Sequence, residues 1–203
     1  MSQWDQLVEK VSINKTIEAL KANGIDAKFV ASGQEAKKEV LKLIPKEAEV
    51  FNETSVTLDI IGVPQEINES GKYNSVRNKL MKMDRNTQGL EMQKMGAAPE
   101  YAVGSIHAVT EDGHVLIASN SGSQLPAYAY GSSHVIWVVG VQKIVKNLDD
   151  GIKRIYEYVL PLEDERAKKA YGVGSGVSKL LIINKEKIPG RLTLILVGEK
   201  LGF

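Results

Sequence analysis

The segment from Ser119 to Gln124, SNSGSQ, brings together the side chains best suited to binding a small anion. Its hydroxyls and amides can surround a ligand, and Gly122 lets backbone N–H groups approach it closely. The segment follows an apolar run that ends at Ala118, so it would lie at the end of a strand. We predict an anion-binding loop. Ser121 and Ser123 would act as donors rather than nucleophiles, because no GxSxG elbow surrounds them.

A second polar turn, Asn52 to Thr57, comes straight after the predicted strand Lys46 to Phe51. In an open α/β sheet, ligands bind beyond the carboxyl ends of the strands, where such turns meet. Thr54 and Ser55 could therefore line the same pocket, although capping of the following helix is the more frequent role of these residue types. Glu53 is the candidate general base or covalent nucleophile, and hydrogen bonding of the turn is the alternative.

Arginine and histidine side chains give weaker indications of ligand or metal binding. Arg191, beside the final strand, could make bidentate contacts to a carboxylate or phosphate, whereas Arg166 is expected to pair with Glu163 one helical turn away. The three histidines form no spaced ligand pair, so no metal site is predicted, and His107 is expected to be a hydrogen-bonded structural residue. The predicted ligand-binding residues are Thr54, Ser55, Ser119, Asn120, Ser121, Gly122, Ser123, Gln124 and Arg191.

The strands that would position these residues are marked by turn residues and by apolar runs. Asp112-Gly113 predicts a tight hairpin turn between strands at 103–110 and 114–118. The run from Val135 to Val141, VIWVVGV, is typical of a strand that is buried on both faces of a parallel sheet. It therefore marks the predicted centre of the sheet.

The remainder of the chain alternates between helices and strands. Apolar residues at helical spacing predict an N-terminal helical segment over about residues 1–24 and further helices at 32–44 and 149–159. The charged, Met-rich stretch from Ser70 to Ala98 predicts two helices with a solvated face. The glycine-rich residues 172–176, which end the polar stretch from Pro161, predict a mobile flap or a hairpin at a subunit contact. We predict one α/β domain over residues 1–203, a three-layer sandwich with a central, mostly parallel sheet and one antiparallel hairpin.

Composition argues against several classes of function. The net charge of +1, from 26 Lys and Arg against 25 Asp and Glu, gives no field that would gather nucleic acid or acidic membrane. The absence of cysteine excludes disulfides and cysteine-ligated iron–sulfur clusters in this chain. No Rossmann dinucleotide site is expected at Gly172 to Gly176, because no strand leads into it. No signal peptide or membrane span is recognisable, so a cytoplasmic location is expected.

Five segments carry a resemblance to a known family: NETSVTLDIIGV (52–63), VGSIHAVTEDGHVLIASNSGSQLP (103–126), HVIWVVGVQKIVKNLDDGIKRI (134–155), PLEDERAKKAYG (161–172) and RLTLILVGEKLGF (191–203). Together they resemble the lactate-utilisation (LUD) domain family. The resemblance implies a fold of the NagB/RpiA/CoA-transferase group, whose members bind phosphosugars, coenzyme A thioesters or folate plus ATP at strand carboxyl ends. Thr54, Ser55 and the loop 119–124 would line that pocket.

The resemblance and the two polar loops predict a protein of lactate or related organic-acid utilisation that binds a small anionic metabolite. Two alternatives stay open: a transferase or ligase acting on a CoA thioester or phosphorylated substrate, or a non-catalytic subunit that docks onto an iron–sulfur oxidoreductase. A partner would then hold the redox centre. The apolar tail at residues 201–203 would suit a homodimer. Gly122→Val is expected to abolish ligand binding and spare the fold.

Overall fold

A computed structural model describes residues 2–203 as two β-sheets and the helices that cover them. The strands, numbered in chain order, are β1 (Asp26–Val30), β2 (Glu49–Asn52), β3 (Asn74–Ser75), β4 (Tyr101–Gly104), β5 (Ala108–Thr110), β6 (Val115–Ser119), β7 (His134–Gly140), β8 (Ile144–Val145), β9 (Lys179–Ile183) and β10 (Leu192–Val197). Six strands form a parallel sheet in the order β1-β10-β7-β4-β2-β3. The other four form a mixed sheet in the order β8-β5-β6-β9.

The helices are α1 (Lys10–Ala22), α2 (Gly33–Leu43), α3 (Val56–Ile61), α4 (Val63–Glu69), α5 (Val76–Leu80), α6 (Arg85–Ala97), α7 (Leu148–Arg154) and α8 (Leu160–Tyr171). A π-helical turn, Ile155–Val159, joins α7 to α8, and another, Ala127–Gly131, precedes β7. The predicted pair of helices between Ser70 and Ala98 is confirmed as α5 and α6. Within residues 2–203, no helix has the length and apolar character needed to cross a membrane.

Strand β7 lies inside the parallel sheet, between β10 and β4, as its apolar run predicts. Successive side chains of a strand point to opposite faces of its sheet. Val135, Trp137 and Val139 accordingly belong to one hydrophobic core, and Ile136 and Val138 belong to the other. A continuous apolar run is needed here because both faces of the sheet are covered.

The two cores define the layers of the domain. On one face of the parallel sheet, α2, α3 and α4 bury their apolar residues against β2, β4, β7 and β10. On the other face lie α1 and the mixed sheet. The outer surface of the mixed sheet packs against α7. The predicted three-layer α/β arrangement with a mostly parallel central sheet is confirmed, and the mixed sheet is an addition that the sequence did not indicate.

The predicted hairpin is also confirmed, although its first strand is shorter than predicted. Gly113 has φ +86° in the turn that joins the antiparallel strands β5 and β6. Residues 103–110 do not form one strand, because β4 ends at Gly104 in the parallel sheet and β5 begins at Ala108 in the mixed sheet. Ser105 lies at the crossing, and its hydroxyl donates to the carbonyl of Val138 at 2.7 Å.

Most of the polar stretch from Pro161 to Gly176 is the helix α8, and residues 172–176, predicted as a flap or hairpin, follow it without regular secondary structure. Pro161 has no N–H to donate to a carbonyl four residues earlier, and the π-helical turn just before it widens the helix at that level. Charged pairs at helical spacing support the remainder, and Gly172 ends the helix with φ +74°. The helix matters for function because it forms one wall of the cavity described below.

Candidate functional site

A cavity of about 300 Å³ opens beyond the carboxyl ends of β2 and β4, against the helix that contains α7 and α8. This volume is at the lower end of the roughly 300–1,000 Å³ range typical of small-molecule sites. The polar and ionisable lining includes Glu53, Thr54, Ser55, Thr57, Ser105, His107, Ser119, Asn120, Tyr128, Lys143, Glu163 and Arg166. Ile155, Val159 and Leu160 supply an apolar wall.

All predicted ligand-binding residues except Gly122 and Arg191 line this cavity: Thr54, Ser55, Ser119, Asn120, Ser121, Ser123 and Gln124. The loop holds its own shape, because the Ser119 hydroxyl donates to Gln124 Oε1 and accepts from the Gly122 N–H, both at 2.8 Å. Ser55 caps α3 by accepting from the Leu58 N–H at 3.4 Å. The capping role and the place in the cavity therefore coexist at Ser55.

Gly122 supports the loop without lining the cavity. Its φ of +87° is a conformation that side-chain-bearing residues rarely adopt, and a Cβ here would meet Lys179 Cδ at 2.5 Å. Gly122→Val would therefore distort the loop itself. A loss of binding in that variant would not identify a ligand contact, so other positions are needed to test the site.

Arg191 lies away from the cavity, which corrects its prediction as a ligand-binding residue. Its guanidinium is 4% exposed and pairs with Glu186 at 2.6 Å. The remaining donors bond to backbone carbonyls of Tyr128 (2.8 Å), Ala129 (3.1 Å) and Ser132 (3.1 Å). With both ends of the guanidinium occupied, Arg191 ties the turn before β7 to the start of β10.

Lys143 is the main cavity residue that the sequence did not reveal. It follows β7 in a short 3₁₀ turn and is only 2% exposed. Its ammonium donates to Thr57 Oγ1 (3.2 Å), Ser105 Oγ (3.2 Å) and the carbonyl of Ile106 (3.1 Å). All three acceptors are neutral, and no carboxylate of residues 2–203 lies within salt-bridge distance of Lys143.

The charge around Lys143 is positive. Burial holds the pKa of Lys143 well below its ordinary value, and the Arg154 guanidinium lowers it further. Arg154 is fully buried, donates to the carbonyl of His107, and leaves Nε and Nη2 without partners in the described residues. Burying a cation is costly unless an anion compensates it. A ligand anion beside Lys143 would therefore offset part of this positive charge.

His107 behaves as a structural histidine that also faces the cavity. Its Nδ1 accepts the Ala118 N–H at 3.0 Å, so the neutral ring carries its proton on Nε2. Burial, helped by the charges of Lys143 and Arg154, lowers the pKa of His107 to about 3. The imidazole is therefore neutral at physiological pH, and its Nε2–H can still donate a hydrogen bond.

Glu53 also lines the cavity, directly after β2. It is 8% exposed, and its Oε1 has no hydrogen-bond partner in residues 2–203. Burial raises the pKa of Glu53 to about 7, although the charge of Arg77 acts to lower it. Arg77 itself donates to the carbonyl of Asn52 (2.8 Å) and to Thr54 (3.2 Å). The Glu53 carboxyl is consequently buried, unpaired and close to half-ionised near neutral pH.

This burial predicts that Glu53→Gln stabilises the protein progressively as pH rises. The folded-state pKa of about 7 exceeds the ordinary value of 4.5, so the folded state holds more protons between these pH values. Stability is therefore lost as pH rises toward 7. Relative to wild type, the free energy of unfolding of Glu53→Gln should increase by about 2.5 kcal/mol between pH 5 and pH 8. Urea titrations at both pH values measure this difference in the free energy of unfolding.

Glu49→Gln, on strand β2, is the control. If the stability of wild type, Glu53→Gln and Glu49→Gln changed equally with pH, the burial of Glu53 would be contradicted.

Tyr128 closes the cavity beside Glu53. Its ring is buried and meets Trp137 edge to face at 5.5 Å between centroids. Burial and the nearby Glu53 raise the pKa of Tyr128 well above its ordinary value, so the hydroxyl keeps its proton. The hydroxyl lies over Gly104, where a Cβ would approach it to 1.7 Å. Only glycine at residue 104 leaves room for this arrangement.

Gly104→Ala is accordingly expected to displace Tyr128 and to lower the free energy of unfolding by about 1–3 kcal/mol, since overpacking of a dense core has that cost. Gly89→Ala provides a matched control, because a Cβ at this position in α6 meets nothing within 4 Å. That control should stabilise by about 0.5–1 kcal/mol through helix propensity. Equal stabilities of the two variants in urea would contradict the close approach of Tyr128.

The comparisons with known proteins agree with this architecture. The model of the LUD domain family matches residues 13–197. No curated protein matches the chain in sequence. Among solved structures, the chain is similar to the crystal structure of a DUF162 family protein from Deinococcus radiodurans, determined at 1.70 Å resolution. The superposition covers 95% of this chain and 100% of the other, with a TM-score of 0.59 and 13% sequence identity. The two proteins are therefore similar in fold. The chain belongs to the LUD domain family, which is associated with lactate utilisation.

Proposed function

We propose that this protein binds a small organic acid, in its carboxylate form, in the cavity beside Lys143. The observation that carries the proposal is the buried Lys143 ammonium, whose partners are all neutral. A carboxylate at this position would offset the cost of burying the cation. The association of the family with lactate utilisation supports 2-hydroxy and 2-oxo acids of the size of lactate and pyruvate.

The rest of the lining suits such a ligand. Hydroxyls of Ser121 and Ser123 and the Nε2–H of His107 are donors for a carboxylate, hydroxyl or carbonyl oxygen. The apolar wall of Ile155 and Val159 can receive a methyl or short alkyl group. The small volume of the cavity favours a short monocarboxylate over a large anion.

Isothermal titration calorimetry with lactate, pyruvate and the neutral amide lactamide tests the proposal. Both acids should bind, and lactamide should not, because it lacks the charge that Lys143 would compensate. Affinity for the acids should fall by up to about tenfold from pH 6 to pH 8, as Glu53 ionises and repels the ligand. Binding of lactamide as tight as that of lactate would refute the charge-based site.

The buried Glu53 carboxyl also supports a second candidate, a transferase acting on a CoA thioester, in which it would be the nucleophile. Turnover of an acyl-CoA that disappears in Glu53→Gln would favour this function. A stable co-purifying iron–sulfur protein would instead favour the docking subunit.

A further inference from the structure

Two ionisable side chains, Glu53 and Lys143, line the cavity, and each follows a strand of the parallel sheet. Glu53 directly follows β2 and Lys143 follows β7, and β4 lies between these strands in the parallel sheet. Adjacent strands are about 4.8 Å apart, so β2 and β7 are separated by about 10 Å. Both side chains line the cavity, so a carboxyl and an ammonium face one space of small-molecule size.

The Glu53 carboxyl has no structural task that would explain its burial. Its Oε1 is unpartnered within residues 2–203, and Arg77, the arginine that acts on its pKa, donates its hydrogen bonds to Asn52 and Thr54. A buried carboxyl without partners costs stability, and such costs concentrate at functional sites. By contrast, three hydrogen bonds fix the position of the Lys143 ammonium, which is therefore suited to attracting a ligand carboxylate to a defined place.

We propose that Glu53 is a catalytic residue that removes and returns a proton on the carbon atom next to the carbonyl group of a 2-oxo acid held at Lys143. This inference rests on the proposed function, since the acid must first bind with its carboxylate toward the ammonium. The carbon atoms at the other end of a short 2-oxo acid then lie on the Glu53 side of the cavity. The substrate class follows, because an adjacent carbonyl is what makes a C–H bond acidic enough for a carboxylate to act on.

The proton transfer is balanced without a further reactant. The Glu53 carboxylate takes the proton, the electrons of the C–H bond form the C=C bond, and the carbonyl π electrons move to oxygen to give an enolate. The Lys143 ammonium and the His107 Nε2–H are the groups available to stabilise the negative oxygen. Return of the proton from the Glu53 carboxylic acid restores the 2-oxo acid. A carboxyl with a pKa of about 7 can serve in both directions near neutral pH.

The test is hydrogen–deuterium exchange at the methyl group of pyruvate in D₂O, followed by proton NMR, with pyruvate affinity measured separately by calorimetry. Wild type should exchange the methyl protons at least about 100-fold faster than Glu53→Gln, the lower end of the usual contribution of a general base. Glu53→Gln should still bind pyruvate. Glu49→Gln, a paired carboxylate at the other end of β2, should match wild type in both measurements.

The two readouts separate the proposals. Binding without exchange in wild type, or equal exchange in wild type and Glu53→Gln, would overturn the catalytic role and leave the binding function standing. Absence of pyruvate binding together with background exchange in wild type would overturn both. Exchange that survives in Glu53→Gln but is lost in Lys143→Met would assign the proton transfer to a residue other than Glu53.

Discussion

Replacing Lys143 with methionine is expected to weaken the binding of a small carboxylate by about 10- to 150-fold while the protein stays folded. The loss corresponds to the attraction between the ammonium and one carboxylate, about 1.5–3 kcal/mol, the lower part of the range for close charge pairs. Methionine fills similar space, and removing a buried cation that lacks a counter-ion relieves a cost of folding. The hydroxyls of Thr57 and Ser105 keep their other partners, the carbonyls of Leu201 and Val138. We therefore expect unfolding in urea at or above the wild-type midpoint.

Lys146→Met is the matched control for this variant. Lys146 is three residues further along, is exposed and lies outside the cavity. Calorimetry should give wild-type affinity for the control and reduced affinity for Lys143→Met. Equal affinities in the two variants, with both proteins folded, would remove Lys143 from the ligand site.

Arg191→Leu is expected to destabilise the protein strongly, lowering the free energy of unfolding by about 3–5 kcal/mol. The substitution leaves the buried carboxylate of Glu186 without its cation. It also removes the donors to the carbonyls of Tyr128, Ala129 and Ser132, which the leucine side chain cannot replace. Because Arg191 lies outside the cavity, the folded fraction should bind carboxylates with wild-type affinity.

Urea denaturation of Arg191→Leu beside Arg85→Leu measures this effect. Arg85 begins α6 and is exposed, so its replacement should change the free energy of unfolding by less than about 0.5 kcal/mol. A loss below about 1 kcal/mol for Arg191→Leu would contradict its structural role. Reduced ligand affinity of folded Arg191→Leu would return it to the binding site.

The features that the sequence predicted correctly have local causes. The apolar run of β7 requires burial on both faces, and the Asp112-Gly113 turn requires a positive φ, so each pattern is compatible with few structures. The polar loops at Thr54 and at Ser119 to Gln124 follow β2 and β6 and line one cavity, although these strands belong to different sheets.

The features that the sequence did not predict depend on contacts between distant segments. The second sheet pairs β6 with β9, whose paired residues are 60 to 68 positions apart in the sequence, and no local pattern specifies that pairing. Lys143 resembles a surface lysine in the sequence, yet it is buried beneath Thr57 and Ser105. Its position just after the central apolar strand was the one available signal. Arg191 was predicted wrongly because its partners, Glu186 apart, lie about sixty residues away.

The most direct test of the carboxylate site is a crystal structure of the protein grown with pyruvate or lactate. We predict that the ligand carboxylate lies within salt-bridge distance of Lys143 Nζ, about 4 Å or less, with the rest of the molecule directed toward Glu53 and the loop from Ser119 to Gln124. A ligand bound elsewhere, or one that directs its carboxylate away from Lys143, would contradict the assignment of this cavity as the functional site.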